Sequence, residues 1–440
     1  MPETTETATH AKAADAADRR AGSIPADPFA PAVTACPYPF LDRLRADAPV
    51  LWSDAANAFL VSRHDLVMEV VRDPARFSSD FGRAGRPVPA AWRERIDAVI
   101  AEGYPRMAVL LTADPPAHTR FRRLVVKAFS PRAIADMEPG VRSISQRLID
   151  GFVDGERLEF VERFAVPLTV EVIARALNVP DRDLDRFKAW SDASTAAIGT
   201  DITIEALEAS ERTINEFQHY FADQLEQRRA KPGGDLLTHL LESRIDDDDA
   251  EVTDTRPLDM AEMLRILQQL LVAGNETTTS LLAEVMVMLG QHPDEWKRMR
   301  ADPQRIVRVI EEALRLASPS AAMWRIATSD TELGGVPITA GSRLIVTWMS
   351  ANRDECVFGP DAAEFRPDRD RLQEHIAFGF GVHYCIGAPL SRLEVRVALE
   401  ELTRRIASFE LCDDNEYRYQ PSFFLRGLTR LDLVPRFDTA

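Results

Sequence analysis

Cysteine is scarce. Cys36, Cys356, Cys385 and Cys412 are scattered over 440 positions without one C-x-x-C spacing, so local pairs build neither a zinc ribbon nor an iron–sulfur cluster. That usage suits a reducing compartment. Basic charge is in deficit: 53 Lys and Arg stand against 70 Asp and Glu, a formal net charge of −17. Such a balance works against nonspecific attraction to nucleic acid or to an anionic membrane surface. Long apolar runs are missing too. The first 25 residues are rich in Ala, Thr and acid; without the continuous apolar stretch of a signal peptide or anchor, they read as a disordered tail on a cytoplasmic protein. There is no Walker loop, G-x-S-x-G elbow, internal repeat or low-complexity block.

What is present is a large potential core, with 45% apolar and 28% charged residues. Length alone allows several domains or one large one, and no linker divides the chain, so residues 26–440 are expected to form a single domain. Ala58–Ser62 reads as a strand, followed by a helix from His64 that stops before Pro74. Ser78 to Leu111 is punctuated by Gly and Pro around one short helix, Ala91–Glu102, a connection of the kind that is usually functional or mobile. A basic helix, His118–Phe129, follows Asp114-Pro115-Pro116; its Arg120, Arg122, Arg123 and Lys127 offer either a patch for an acidic protein partner or a solvated face. Helical periodicity continues to about Arg229. The polar connection 231–257 carries Pro232-Gly233-Gly234, a short helix and the acidic run 246–249.

From Asp259 to Gly290 a helical pattern of roughly 30 residues would span about 45 Å. Asp259 with Glu262 forms a capping-box pattern, and Gly290 with Pro293 reads as the stop. Gln268, Gln269, Asn275 and Glu276 interrupt its apolar run, which marks a buried core helix and not a membrane span. A second helix is expected over Asp302–Leu316, then strands over Thr331–Ile338 and Ser342–Met349 and a late hairpin near Phe423–Val434. The fold class is therefore mainly α with a small β region.

Phe378-Gly379-Phe380-Gly381-Val382-His383-Tyr384-Cys385-Ile386-Gly387 surrounds one cysteine with glycines just before a helix from Ala388. Glycines admit positive φ and close approach to a flat ligand, and a thiolate there gains from nearby N–H donors. A lone cysteine is more often a small buried hydrophobe. A dinucleotide fingerprint fails because Tyr384 stands where the third glycine belongs, and His383 with Cys385 are too few and too close for zinc. Glu312 and Arg315 lie at i and i+3, which on a surface would be worth little. In Ala273-Gly274-Asn275-Glu276-Thr277, Gly274 removes bulk, Thr277 can bond back to the i−4 carbonyl, and a mid-helix Glu276 is costly to bury without a partner. His118 and Arg122 lie at i and i+4.

The cysteine segment matches the F-x-x-G-x-x-x-C-x-G haem-binding signature at every fixed position, so the chain is identified as a member of the cytochrome P450 superfamily. The resemblance runs from about Tyr38 to Arg436. It implies the triangular, mostly helical P450 fold, with haem b between the long helix and the cysteine loop. Cys385 would be the iron ligand, with Phe378 and Gly379 packing beside it and Ala273 and Gly274 along the long helix. His118, Arg122, Arg325 and His383 would meet the propionates, while Glu276 and Thr277 would relay protons to dioxygen. Asn275 stands where close relatives often carry histidine. The Glu312–Arg315 pair would be buried and joined by Arg369 in the simplest assignment, with Arg366 as the other candidate.

The implied reaction is monooxygenation of a hydrophobic lipid, terpenoid, steroid or aromatic molecule by a monomer, with electrons drawn from NAD(P)H through a separate ferredoxin and its reductase. The loop Tyr104–Leu111 with Leu110, then Leu270, Ala273, Met323, Trp324, Phe423 and Phe424 would line the pocket, although core packing explains such residues equally well. A peroxide-driven enzyme and a noncatalytic haem sensor are the rival functions.

Overall fold

The computed structural model describes residues 27–80, 89–196, 202–245 and 252–438. The expected tail over residues 1–25 and the acidic run 246–249 lie outside them. The chain forms two compact units.

The first comprises residues 27–80, 308–385 and 418–427. Its sheet has the order Val50–Ser53, Ala58–Val61, Arg343–Val346, Met323–Ala327, Phe77–Ser78. Ala58–Val61 is buried at every position because it is an inner strand, antiparallel to Val50–Ser53 and parallel to Arg343–Val346; hence its continuous apolar run. Alternation sorts the side chains into two clusters. Phe59, Val61, Leu344 and Val346 pack with helix His64–Arg72, whereas Leu60 and Ile345 pack with Phe40, Leu41 and Trp324.

Three strand expectations need correction. Thr331–Ile338 is a tight hairpin, Thr331–Leu333 against Val336–Ile338, since Gly334 and Gly335 take φ of 58° and 78° and make the two-residue turn that positive φ permits. The strand from Ser342 ends at Val346, and the chain turns into helix Trp348–Ala351. No hairpin forms over Phe423–Val434, because its backbone groups are used elsewhere. Phe424 O accepts from Ala321 N–H and Arg426 N–H donates to Pro319 O, while strand Asp432–Phe437 pairs with Ile406–Leu411.

The second unit holds the described residues of 82–307, 386–417 and 428–440. Around the long helix Met260–Gln291 stand Ala117–Val126, Val166–Ala176, Leu184–Ala196 and Ile204–Ala230, which share one apolar cluster containing Phe121, Ile173, Trp190, Phe217 and Leu267. The capping box forms as expected: Glu262 N–H donates to Asp259 and Asp259 N–H to Glu262, both at 2.9 Å. Gly290, expected as the stop, lies inside the helix. A Cβ there would meet Leu411 Cγ at 2.5 Å, so its smallness lets strand Ile406–Leu411 approach. Pro293 opens a further helix, Pro293–Ala301, and the helix expected from Asp302 starts at Arg305. A proline after a helix is a start signal as much as a stop.

Arg120 does not belong to a surface patch. It is 3% exposed and donates to Glu262 at 2.9 and 3.2 Å and to the carbonyls of Arg256 and Pro257. Burial opposes the Glu262 charge, but hydrogen bonds from Arg120 and Arg256 outweigh it and hold the carboxyl below its usual range. This pair ties the basic helix to the first turn of the long one. Among the described residues no helix is long and apolar enough to cross a membrane.

Helix Ala388–Arg405 is fastened to Pro131–Asp150 by a charge network: Arg142 donates to Glu138, Glu400 and Glu401, and Arg396 to Glu138 and Glu400. Glu394, on the same helix, is 2% exposed, and its Oε2 meets no protein donor among the described residues. Burial pushes this carboxyl well above the ordinary 4.5. The unfolded chain then loses the proton at lower pH than the folded one, so Glu394 costs stability as pH rises above about 4.5. Glu394→Gln is expected to raise the urea midpoint at pH 7 and leave it unchanged near pH 4; an equal midpoint at both values would contradict the assignment.

Candidate active site

The Glu312–Arg315 pair is fully buried, both residues being 0% exposed. Arg315 binds Glu312 through two parallel bonds of 2.7 and 2.8 Å and also reaches the carbonyls of Asn352 and Ala362, each at 2.7 Å. Arg369 completes the group, with its Nε 3.3 Å from Glu312 and further bonds to Asp361 and the Phe358 carbonyl. Arg366 contributes only its backbone N–H to Glu312, at 2.8 Å; its side chain is turned to Asp361. Two carboxylates and several carbonyls thus satisfy guanidinium groups whose burial would otherwise be prohibitive.

From this group a hydrogen-bond chain runs to the cysteine. Asn352, whose carbonyl holds Arg315, accepts from Ile376 N–H with its side chain at 2.8 Å and donates to Ser318 at 2.9 Å. Ile376 O accepts from Gly379 N–H and Phe378 O from Cys385 N–H, each at 2.9 Å. The loop between closes through Gly379 and Gly381, at φ of 69° and 68°, conformations that L side chains resist. A Cβ on Gly381 would also come within 3.0 Å of Val71 O. Cys385 is half-buried and in no disulfide, and Phe378 meets Tyr384 edge-on at 6.4 Å. Arg72 covers Phe380. A soft sulfur donor on a bare, pinned loop is chemistry that fits haem iron. Asn352 carries this chain, yet the sequence does not separate it from an ordinary turn asparagine.

In the second unit Thr277 Oγ1 donates to Ala273 O at 2.7 Å, the i−4 bond expected from the sequence. Ala273, Glu276 and Thr277 recur at i, i+3 and i+4 and so share a face of the long helix; Ala273 is exposed, the other two half-buried. Gly274 faces Ile173, which a Cβ would meet at an ordinary contact distance of 3.4 Å. Asn275 is clamped on the opposite side. Its Oδ1 accepts from Thr169 at 2.8 Å, its Nδ2 donates to Ser191 at 2.8 Å, and Thr169 meets Thr279 at 2.7 Å. This buried network joins Val166–Ala176, Leu184–Ala196 and the long helix, and no periodicity in the sequence announces its two outer members.

His118 is buried and Arg122 half-buried on helix Ala117–Val126, whereas Arg325 is buried on strand Met323–Ala327 and His383 half-buried in the cysteine loop. Of the expected pocket residues, Leu110 and Leu270 lie in one apolar cluster of the second unit. Trp324, Phe423 and Phe424 form an aromatic cluster with Phe29 in the first. Met323 packs into the cluster on the other face of the same sheet, so neighbours in sequence are opposed in space.

Two expectations follow. Arg315→Met removes the parallel bonds and the carbonyl contacts and leaves Glu312 buried without its charge partner; a loss of about 3–5 kcal/mol in urea unfolding is expected, and a loss under about 1 kcal/mol would mean the group does not hold the loop. Burial, with the Arg122 charge adding to it, pulls His118 down to about 4 from 6.5. The unfolded chain then binds that proton first, so stability falls as pH drops from 6.5 toward 4. His118→Gln is expected to flatten this part of the stability–pH curve, with an unaltered slope refuting it.

The model for the family described as cytochrome P450 matches residues 198–426. Cytochrome P450 109 of Bacillus spizizenii is 35% identical over 408 residues, covering 90% of this chain and 91% of that protein. The erythromycin C-12 hydroxylase of Saccharopolyspora erythraea is 36% identical over 380 residues, covering 86% and 89% respectively. The solved structure of cytochrome P450 CYP109Q5 from Chondromyces apiculatus matches with a TM-score of 0.82 at 34% identity, over 95% of this chain and all of that one (100%). Likeness that extends through nearly the whole length of each relative reaches well beyond a shared cysteine loop: this chain belongs to the cytochrome P450 family, a family of haem-iron enzymes that use dioxygen, has the P450 fold and is a monooxygenase.

Proposed function

We propose that the protein hydroxylates an apolar small molecule of the lipid, terpenoid, steroid or aromatic class, as a cytoplasmic monomer. The pinned, glycine-bounded loop that presents a half-buried Cys385 carries the reading. Electrons come from NAD(P)H through a separate ferredoxin and its reductase. The balance is substrate–H, O2, NAD(P)H and a proton giving substrate–OH, water and NAD(P)+. One relative is named for hydroxylating erythromycin at C-12, which supports hydroxylation as the reaction.

Cys385 is the iron ligand; the Phe378 ring shields it and Gly379 keeps the adjoining backbone bare. Arg122 and Arg325 would offset the charge of the propionates, and His118 and His383 would hydrogen-bond them. When bound, the haem would supply the redox chemistry with dioxygen, its iron held by the Cys385 sulfur. The chain's own part is to hold and move protons. Thr277 commits its hydroxyl proton to Ala273 O, which leaves its oxygen lone pairs to accept from a donor. Glu276, on the same helix face, is the carboxyl that passes the proton on. Ala273 leaves that face open. A peroxide-driven reaction would need no such relay, so the Glu276–Thr277 pair favours dioxygen.

The deciding measurement is the carbon monoxide difference spectrum of the reduced, haem-loaded protein. A strongly red-shifted Soret band in the wild type, lost in Cys385→Ala, is expected. Haem-loaded wild type without that band would end the thiolate assignment.

A further inference from the structure

Residues 104–111 contain no regular element before the single turn Leu110–Thr112, yet they are not left to hang. At one end Tyr104 N–H donates to Gln218 Oε1 at 2.9 Å, and Gln218 Nε2 reaches back to Tyr104 O at 3.5 Å. At the other end Leu111 N–H donates to Gln269 Oε1 and Gln269 Nε2 donates to Val109 O, both at 3.2 Å. Each glutamine offers one acceptor and one donor to the backbone, as a neighbouring strand would. Gln218 belongs to helix Ile204–Ala230 and Gln269 to the long helix Met260–Gln291, so the segment is slung from both. Arg106, between the two ends, pairs with Glu211 of the first of these helices.

Gln269 lies one turn before Ala273 and two before Thr277, so its clamp seats Val109–Leu111 on the helix face that carries those residues. Leu110 there takes φ of 31°, a conformation an L side chain keeps only when its surroundings impose it. Its neighbour Leu111 is 44% exposed, an apolar side chain held out of the core while Val109 is wholly buried. We infer that Gln269, with Gln218 as the second anchor, is a specificity-positioning residue: it fixes residues 109–111 as a preformed apolar wall that bulky ligands contact and small ones do not. The inference rests on the haem-thiolate reading for its ligand probe but not for the clamp itself.

A wall ordered in advance spares a ligand the entropy of ordering it. Freed from Gln269, the segment charges that cost to any ligand large enough to touch it. The test compares imidazole with 4-phenylimidazole by difference-spectrum titration of the haem-loaded protein, together with amide hydrogen exchange at Leu111. Gln269→Ala is expected to weaken 4-phenylimidazole at least 5-fold, to leave imidazole within 2-fold, and to speed Leu111 exchange at least 10-fold. Gln269→Glu, which can still accept from Leu111 N–H but cannot donate to Val109 O, is expected to fall between and serves if the alanine variant does not fold. Equal weakening of both ligands would show a merely structural residue, and an unchanged ligand ratio with unchanged exchange would overturn the inference outright. If neither ligand perturbs the wild-type spectrum, the haem-thiolate reading fails and the wall's role with it, while Leu111 exchange still judges the clamp.

Discussion

The cysteine loop depends on a carboxylate–guanidinium pair buried beyond the reach of water. Glu312 and Arg315 would each be prohibitive alone in that interior, and together they are tolerable because Arg369, the Arg366 N–H and the carbonyls of Asn352 and Ala362 complete their bonding. The arrangement is a poor way to gain stability, since an apolar cluster of the same volume would serve as well. What it supplies is direction. A guanidinium fixes the carbonyls it meets, and Asn352, fixed on one side by Arg315, uses its side chain to set Ile376 on the other. Position is thereby handed through Gly379 and Phe378 to Cys385 as hydrogen bonds and not as packing.

The second unit solves a related problem on its long helix. A helix buried on most sides could be apolar throughout, yet Glu262, Gln268, Gln269, Asn275 and Thr279 interrupt it, and each has a named partner. Glu262 holds Arg120, Gln268 bridges Arg265 and Ser194, Gln269 holds residues 109–111, and Asn275 and Thr279 meet Thr169. These bonds fix the rotation of the helix about its axis, which apolar contacts alone leave free to slip. Fixing that rotation decides which way Ala273, Glu276 and Thr277 face.

How much of this was legible depended on how local the cause was. The long helix, its capping box and the Thr277 back-bond follow from spacings of three and four residues, and all appear where the sequence puts them. The cysteine loop was legible because glycines at 379 and 381 and a cysteine at 385 are a covalent-distance pattern. The reason for Gly290 is hidden from its neighbours, because Leu411 lies over a hundred positions away. Arg120 resembles surface charge in its local sequence because its partner Glu262 is also far along the chain. Met323 and Trp324, adjacent in the chain, pack in different clusters, because proximity in sequence conceals the two faces of a strand.

Distance in sequence also explains why the positioning residues are harder to see than those proposed to react. A cysteine, a threonine and a glutamate are unusual at their places and draw notice by type. Asn352, Thr169 and Gln218 are of ordinary type in ordinary surroundings, and only the partner at the far end of each bond gives them meaning. Because a buried polar group left without that partner costs about 1–3 kcal/mol, each is as constrained as the groups it serves. A single substitution there would displace the site without touching any atom that reacts.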